Sequence, residues 1–227
     1  MTLARSMQNS PRSQHAPPKN PHVHMNALDT ELFLLLNASA HSPAWLLGAA
    51  RMASQHLPTV ALLALLPLAF LGRRARWQVF GVLLTMVLAW LVARGMREAI
   101  PSVRPFAMGL GYQGMPHSAG AGFPSMHASM AAAWASGLCW FAAPRWRGAW
   151  VAVAVVVAVC IAWSRVYLGL HFPSDMGTGL LLGAVSGWLA LTLGERLGLA
   201  RRFQIEPITQ KTSEAKAPSP SGGRTAR

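Results

Sequence analysis

The amino-acid sequence predicts an all-α fold, a polytopic transmembrane helical bundle. Two features of composition support this class: hydrophobic residues make up 52% of the 227 residues and charged residues only 12%, against roughly 25% charged in a soluble domain. The third observation is that the apolar residues gather in five runs that carry almost no charge. The runs cover residues 57–71, 79–93, 126–143, 149–163 and 176–193.

Each run spans a bilayer only if flanking residues join it, because a helix needs roughly 20 apolar residues to cross about 30 Å of hydrocarbon. Five such runs are nevertheless hard to explain as the core helices of a soluble protein. Small residues within the runs favour close helix contacts in lipid; they are Gly81, Gly137, Gly179, Gly183 and Gly187. We therefore expect five clear spans.

The N-terminal part predicts a sixth, less regular span. Asn26 is a good N-cap for a first helix, and Ser42-Pro43 suits the N-cap and N1 positions of a second one. This pair forms either one imperfect span or two helices that lie in the membrane interface. The polar residues that interrupt its apolar stretch are Arg51, Gln55 and His56.

Composition divides the chain into three parts. Residues 1–25 are rich in Pro, Ser, Asn and His and are expected to be a disordered tail. Residues 26–203 form one membrane domain, and residues 204–227 read as a flexible basic tail. Cys139 and Cys160 lie inside apolar runs and have no metal-ligand spacing.

The placement of the charges argues against a nucleic-acid partner, although the net charge is +13. Twelve of the 20 Lys and Arg residues fall in two short connections and in the tail after Glu195. If all five runs span, these places share one face, which the positive-inside rule assigns to the cytoplasm. The C-terminus is then cytoplasmic, and the two remaining connections, residues 94–124 and 164–175, face outward.

The two outward connections also carry basic residues, which the positive-inside rule does not explain, so these residues are expected to have a local function. Three guanidiniums, Arg97, Arg104 and Arg165, can each bind phosphate oxygens in a bidentate fork. Ser125 and the N–H of Met126 open a helix, whose N-terminus favours an anion. Ser164 binds either phosphate or its own helix backbone, and His117 is either a substrate contact or a loop residue.

Two histidines supply candidate reacting groups. His171 and Asp175 are four residues apart, so they share one face if their segment is helical. The carboxylate would hold one ring nitrogen and leave the other free as a nucleophile. His127, near the start of another helix, can protonate a leaving oxygen as a general acid. No cluster of Asp, Glu or His offers a complete metal site, so we expect no metal and no cofactor.

These residues resemble the type 2 phosphatidic acid phosphatase superfamily. Its pattern is Lys-(six residues)-Arg-Pro, then Pro-Ser-Gly-His, then Ser-Arg-(five)-His-(three)-Asp, and every spacing matches, over roughly residues 57–193. The resemblance implies a phosphohistidine at His171 oriented by Asp175, with His127 as the acid. It also implies phosphate binding by the residues that match its basic and serine positions, namely Arg97, Arg104, Ser125 and Arg165.

Two positions depart from the family pattern. Arg97 stands where the family usually has Lys, which keeps the charge but changes the hydrogen-bond fork. Met126 replaces the usual Gly and puts a bulky side chain beside the expected phosphate. The sequence is also similar to the bacterial undecaprenyl-diphosphatase branch, in Arg104-Pro-Phe-Ala, in His117 ahead of Phe-Pro-Ser125, and in the stretch from Glu31 to Asn37.

The sequence thus predicts a metal-independent phosphatase of the bacterial inner membrane, with its active site on the periplasmic side. Undecaprenyl diphosphate, cleaved to the monophosphate for cell-wall synthesis, is the first substrate expectation. Phosphatidylglycerol phosphate, phosphatidate and lipid A phosphate stay open as substrates, and a phosphotransferase with an alcohol acceptor stays open as an activity. A lipid-phosphate binder without catalysis is disfavoured, since binding needs neither a nucleophile nor an acid.

Overall fold

The computed structural model describes residues 26–138 and 147–196, and every regular element within these two segments is helical. The predicted tails, 1–25 and 204–227, and the end of the third apolar run lie outside the described residues. The elements are α1 (Ala27–Leu36), α2 (Ala44–Gln55), α3 (Leu57–Leu63), α4 (Leu65–Ala69), α5 (Arg73–Ala99), α6 (Met126–Leu138), α7 (Arg147–Tyr167) and α8 (Pro173–Arg196), with a 3₁₀ turn at Pro105–Met108.

The starts of the first two helices lie close to their predicted positions. Asn26 caps α1, because its side-chain oxygen accepts the N–H of Leu28 at 3.2 Å. The second helix begins one residue later than predicted, with Pro43 as the N-cap and Ala44 as the first helical residue. Ser42 therefore does not cap α2; its hydroxyl accepts the N–H of Ser39 instead.

The first predicted span, residues 57–71, is not one helix. It is divided into α3 and α4 at Ala64, because Pro67 has no N–H to give to the carbonyl of Leu63 and its ring crowds that turn. Pro58, nine residues earlier, likewise has no N–H for the carbonyl of Ser54, and the chain breaks between these two residues at His56. Helix α2 and the α3–α4 pair are bent by 41° at this break.

Within the described segments, three helices are long and apolar enough to cross a membrane: Ala75–Ala99, Gly148–Tyr167 and Pro173–Gly194. There is a fourth candidate span if α2 and the α3–α4 segment, which are bent relative to each other, count as one span. Helix α6 is described over 13 residues only. The all-helical membrane class is confirmed, with three to four candidate spans, whereas the five or six predicted spans are not confirmed.

Helix α6 lies at the centre of the described bundle and packs against α5, α7 and α8. Eight of its 13 residues are buried. Its closest neighbour is α8, which presents glycines to it, as predicted for helix contacts in lipid. A Cβ atom at Gly179 would lie 2.6 Å from the carbonyl oxygen of Ser125, so any larger residue there would push the two helices apart.

The outer faces of the long helices are apolar and exposed, which suits contact with lipid. Leu84 and Leu88 on α5, Val156 on α7, and Leu181 and Leu189 on α8 are all more than 40% exposed. Six of the nine buried polar side chains among the described residues instead gather where α5 and α7 end and where α6 and α8 begin. They are Arg104, Ser125, Ser164, Arg165, His171 and Asp175.

Candidate active site

The first turn of α8 fixes Asp175. Pro173 is the first helical residue, where its missing N–H is not needed. Asp175 is the third, and its Oδ2 accepts the backbone N–H of Phe172 at 3.1 Å, which is half of a capping box. The same oxygen lies 3.1 Å from Nδ1 of His171. The carboxylate therefore orients the imidazole and caps the helix at once.

The four-residue spacing suggested that His171 and Asp175 share one helical face, but His171 lies outside the helix. It lies two residues before α8, in a tight connection that turns at Gly169 with a φ of 77°. A Cβ atom at Gly169 would collide with the carbonyl oxygen of Tyr112, so this turn requires glycine. The predicted contact forms by a different local route, because the turn folds the imidazole back over the start of the helix.

Both ring nitrogens of His171 have a partner. Nε2 lies 2.9 Å from Nη1 of Arg104, and a guanidinium can only donate. Nε2 is therefore the unprotonated acceptor, and Nδ1 carries the hydrogen that Asp175 accepts. Burial lowers the pKa of His171 well below its ordinary value, and the positive charges of Arg104 and Arg165 lower it further. The ring is neutral at pH 7, with its lone pair on Nε2.

Arg104 donates a hydrogen bond to this lone pair and is itself held by hydrogen bonds to backbone carbonyls. Its guanidinium donates to the carbonyl oxygens of Gly120 at 2.8 Å, Leu170 at 2.9 Å and Ala121 at 3.3 Å. Burial, and then the charge of Arg97, lowers the pKa of Arg104 to about 10. The group remains cationic at neutral pH and has a fixed position beside the nucleophilic nitrogen.

The other two arginines are held by different elements. Arg97, at the end of α5, donates to the carbonyl oxygens of Pro124 at 3.0 Å and Gly122 at 3.3 Å. Arg165, on the last turn of α7, donates to the hydroxyl of Ser54 at 2.9 Å. Its buried Nε has no hydrogen-bond partner within the described segments. A buried donor without a partner is costly, and an oxygen of a bound anion would satisfy it.

The three arginines meet around a cavity of about 170 Å³. One part of its wall is polar and the other apolar. The polar part consists of Arg97, Arg104, Arg165, His117 and His127, and the apolar part of Trp90, Met126 and Met130. His171 is fully buried and lies behind Arg104. Such a cavity suits a phosphoryl group attached to a hydrocarbon.

The predicted general acid and the predicted substrate contact both line this cavity. His127, in the first turn of α6, is exposed and has no hydrogen-bond partner among the residues that the structure describes. His117 is fixed: its Nε2 lies 2.8 Å from Nη2 of Arg165, and its Nδ1 lies 3.1 Å from the carbonyl oxygen of Ser118. Burial lowers the pKa of His117 below its ordinary value.

The two serines of the predicted phosphate site are fully buried. The hydroxyl of Ser125 accepts the N–H of Ala128 at 3.4 Å and helps to start α6. The hydroxyl of Ser164 donates to the carbonyl oxygen of Ile161 at 2.8 Å, within α7. Neither side chain lines the cavity, whereas the Met126 side chain does.

Several residues around the site were missed by sequence reasoning. Ser54 lies 111 positions before Arg165, and nothing in the chain signals their contact. Asn37 appeared only within the resemblance, yet its side-chain amide donates to the carbonyl oxygens of Tyr112 and Tyr167, both at 3.0 Å. Its Oδ1 accepts the N–H of Tyr112 at 2.6 Å. Asn37 thus joins the loop that bears His117 to the end of α7.

Within residues 26–138 and 147–196, no group of three His, Cys, Asp or Glu side chains is placed to hold a metal ion. Asp175 is the carboxylate in contact with His171, and its Oδ2 already accepts two hydrogen bonds. The positive groups around the cavity are instead suited to an anion.

The chain belongs to the PAP2 superfamily. The model of that family matches residues 98–198. The chain is also 35% identical over 181 residues to "Putative undecaprenyl-diphosphatase YbjG" of Escherichia coli (strain K12), which covers 78% of this chain and 89% of that protein. The family predicted from the three-part pattern is confirmed.

Two further comparisons agree with this assignment. A "Lipid A 4'-phosphatase" of Bacteroides thetaiotaomicron is 34% identical over 98 residues, which are 43% of this chain and 41% of that protein. The fold is similar to the crystal structure of a transmembrane PAP2-type phosphatidylglycerolphosphate phosphatase from Bacillus subtilis. The TM-score is 0.59 and the identity 24%, over 77% of this chain and 89% of the other. The chain is thus a membrane lipid phosphatase by family.

Proposed function

We propose that this protein hydrolyses undecaprenyl diphosphate to the monophosphate through a phosphohistidine at His171. The observation that carries the proposal is the arrangement of the His171 ring. Its Nδ1 contacts Asp175, and its Nε2 lone pair faces Arg104. An imidazole fixed in this tautomer is a nucleophile, and the cationic groups around it favour a phosphate.

The first step begins when the terminal phosphate enters the cavity. One of its oxygens replaces Nε2 of His171 as a partner of Arg104, and Arg97 and Arg165 share the remaining oxygens. Nε2 then attacks phosphorus, and the bond to the bridging oxygen breaks. His127, which takes up a proton as the anionic phosphate enters among the arginines, gives that proton to the bridging oxygen. The negative charge that spreads over the phosphoryl oxygens is stabilised by the three guanidiniums.

The second step restores the enzyme. His127, now neutral, accepts a proton from a water molecule as that water attacks the phosphorus of phosphohistidine. The Nε2–P bond breaks, inorganic phosphate is released, and Nε2 of His171 again accepts the N–H of Arg104. No metal is required in either step, since the guanidiniums supply the positive charge that a metal ion would otherwise provide.

The choice of substrate rests on similarity. The relative in Escherichia coli, of which this chain covers 89%, carries an undecaprenyl-diphosphatase name. Lipid A phosphate and phosphatidylglycerol phosphate are the alternatives, since proteins named for those activities are also similar. A phosphotransferase would use the same phosphohistidine with an alcohol in place of water.

The proposed setting is the bacterial inner membrane, with residues 26–203 as the membrane domain. The site would face the periplasm and the C-terminus the cytoplasm. Arg73 and Arg76 at the start of α5 and Arg196 at the end of α8 lie at helix ends opposite those that carry the site. This separation supports the orientation, because basic residues favour the cytoplasmic side.

The test is phosphate release by the purified full-length protein in neutral detergent with EDTA. Undecaprenyl diphosphate, phosphatidate and phosphatidylglycerol phosphate are compared, and His171→Ala is assayed beside His41→Ala, a change at an exposed histidine. We expect the diphosphate to be preferred and release to vanish only in His171→Ala. Preference for another lipid would overturn the substrate, and release that survives in His171→Ala would overturn the mechanism.

A further inference from the structure

A second cavity, of about 490 Å³, adjoins the catalytic one on the side of α2. Its wall is formed by Arg51, Gln113, Gly114, Met115, Pro116 and His117. His117 lines both cavities, so its ring is the wall that they share. None of the six lining residues has a carboxylate, and the one charged side chain among them is a cation.

Arg51 is held in a position that leaves its binding groups free. Its Nε donates to the carbonyl oxygen of Gly114 at 2.8 Å, which fixes the plane of the guanidinium. Its Nη1 and Nη2 have no partner among the described residues, and the side chain is exposed. Two terminal N–H groups in one plane match two oxygens of a phosphate. The bond to Gly114 reduces the conformational entropy that a free arginine would lose on binding.

The shared wall connects Arg51 to the catalytic arginines. Nε2 of His117 lies 2.8 Å from Nη2 of Arg165, so Arg165 and Arg51 each serve one of two cavities that meet at the same ring. The apolar wall of the catalytic cavity is formed elsewhere, by Trp90 of α5 and Met130 of α6. Helix α2, which carries Arg51, packs against α7, which carries Arg165.

We propose that Arg51 and residues 113–117 form a second binding site for a phosphoryl anion. The proposal rests on the proposed function in one respect, that the catalytic cavity binds phosphate. The anion in the second site is either the phosphate that stays on a lipid diphosphate or the inorganic phosphate that leaves after hydrolysis. Both have the same oxygens for Arg51, and kinetics separates them.

The experiment compares the wild-type protein with Arg51→Gln and Arg51→Lys in neutral detergent, without anionic lipid headgroups. Arg76→Gln, at an exposed arginine of α5, is the matched control. For each protein, KM is measured with a lipid diphosphate and with a lipid monophosphate. The inhibition constant of inorganic phosphate is measured with both substrates. Thermal unfolding reports whether loss of the Arg51–Gly114 contact disturbs the loop.

If the site binds the retained phosphate, Arg51→Gln raises KM for the diphosphate about five- to tenfold and leaves KM for the monophosphate unchanged, as expected for one exposed charge-assisted contact. If it binds released phosphate, the inhibition constant of inorganic phosphate rises by a similar factor with both substrates. In either case Arg51→Lys retains part of the effect and Arg76→Gln shows none.

Two results would overturn the site. One is an equal rise of KM for both substrates with an unchanged inhibition constant, which would make Arg51 a support for the loop. The other is no change in any constant. Wild-type protein that hydrolyses neither lipid in a His171-dependent way would instead contradict the proposed function, and that result is visible before Arg51 is altered.

Discussion

The two histidines of the proposed reaction have opposite surroundings. His171 is fully buried, and both of its nitrogens lie within hydrogen-bond distance of a side chain. His127 is exposed to the cavity and has no hydrogen-bond partner in the described part of the chain. One imidazole is positioned before any ligand arrives, and the other is free.

The difference matches the two roles. A nucleophile must have the correct tautomer and direction from the outset, because a small misplacement is costly. A general acid meets its partner only when the substrate brings the leaving oxygen, so it needs no partner in the empty site. Changes on the His171 side should therefore abolish chemistry, whereas changes on the His127 side should depend on the leaving group.

Replacement of the nucleophile should have the largest effect. We expect His171→Ala to lower kcat at least about 10⁴-fold, as removal of a nucleophile does in other enzymes. Single-turnover phosphate release measures it, and circular dichroism checks that the helices remain. A variant that retains a tenth of the wild-type kcat would show that His171 is not the nucleophile.

Loss of the carboxylate should come next. Asp175→Asn keeps the shape, but its amide can present an N–H to Nδ1 of His171 and reverse the tautomer. We expect kcat to fall about 10³-fold, in line with similar changes in catalytic triads. Ser174→Ala, one residue away, is the control for damage to the start of α8. Equal losses in both variants would mean that Asp175 acts through the helix alone.

The free histidine gives the most specific test of the comparison. In His127→Gln, we expect the first turnover of a lipid diphosphate to slow about 10²-fold. With an aryl phosphate, whose leaving group needs no proton, the first turnover should slow less than tenfold. Rapid-quench measurement of the leaving group distinguishes the two. An equal loss with both substrates would assign His127 to binding.

A smaller effect is expected when Ser54, which holds the side chain of Arg165, is replaced. Ser54→Ala removes the hydroxyl that accepts from Nη1 of Arg165 at 2.9 Å. Loss of one hydrogen bond to a charged group should raise KM by roughly three- to tenfold with kcat within about twofold. Ser186→Ala, whose hydroxyl bonds only its own helix, is the control. An unchanged KM would show that α2 does not position Arg165.

The smallest expected effect is a shift of the pH profile of activity. Because burial and the nearby guanidiniums lower the pKa of His171, the neutral nucleophile persists below pH 6.5 and activity should be retained there. Arg104→Gln removes one of these charges, so the pKa of His171 should rise and the acid limb of kcat/KM should move to higher pH. The same substrate is used for both proteins, so its own ionisation cancels. A limb that stays in place would mean that another group controls it.

Sequence reasoning identified the family and most residues that line the cavity, because the spacing within each motif is local. The ends of α5 and α7 and the start of α6 then bring Arg97, His127 and Arg165 together. Contacts that depend on packing were not predictable. Examples are the hydrogen bond between Arg165 and Ser54 and the contact between the guanidinium of Arg104 and Nε2 of His171. Three to four of the predicted spans are found among the described residues, and hydropathy alone did not indicate that Pro67 divides the first run into α3 and α4.

The central claim is covalent catalysis by His171, and the most direct measurement is to trap the phosphoenzyme. His127→Gln lacks the base for the second step, so an aryl phosphate labelled at phosphorus should leave its label on the protein. We predict one acid-labile, base-stable phosphate per chain, on the peptide that contains His171 and absent from the double variant with His171→Ala. Release of the aryl group and of phosphate in step, with no label on the protein at any time, would contradict the account.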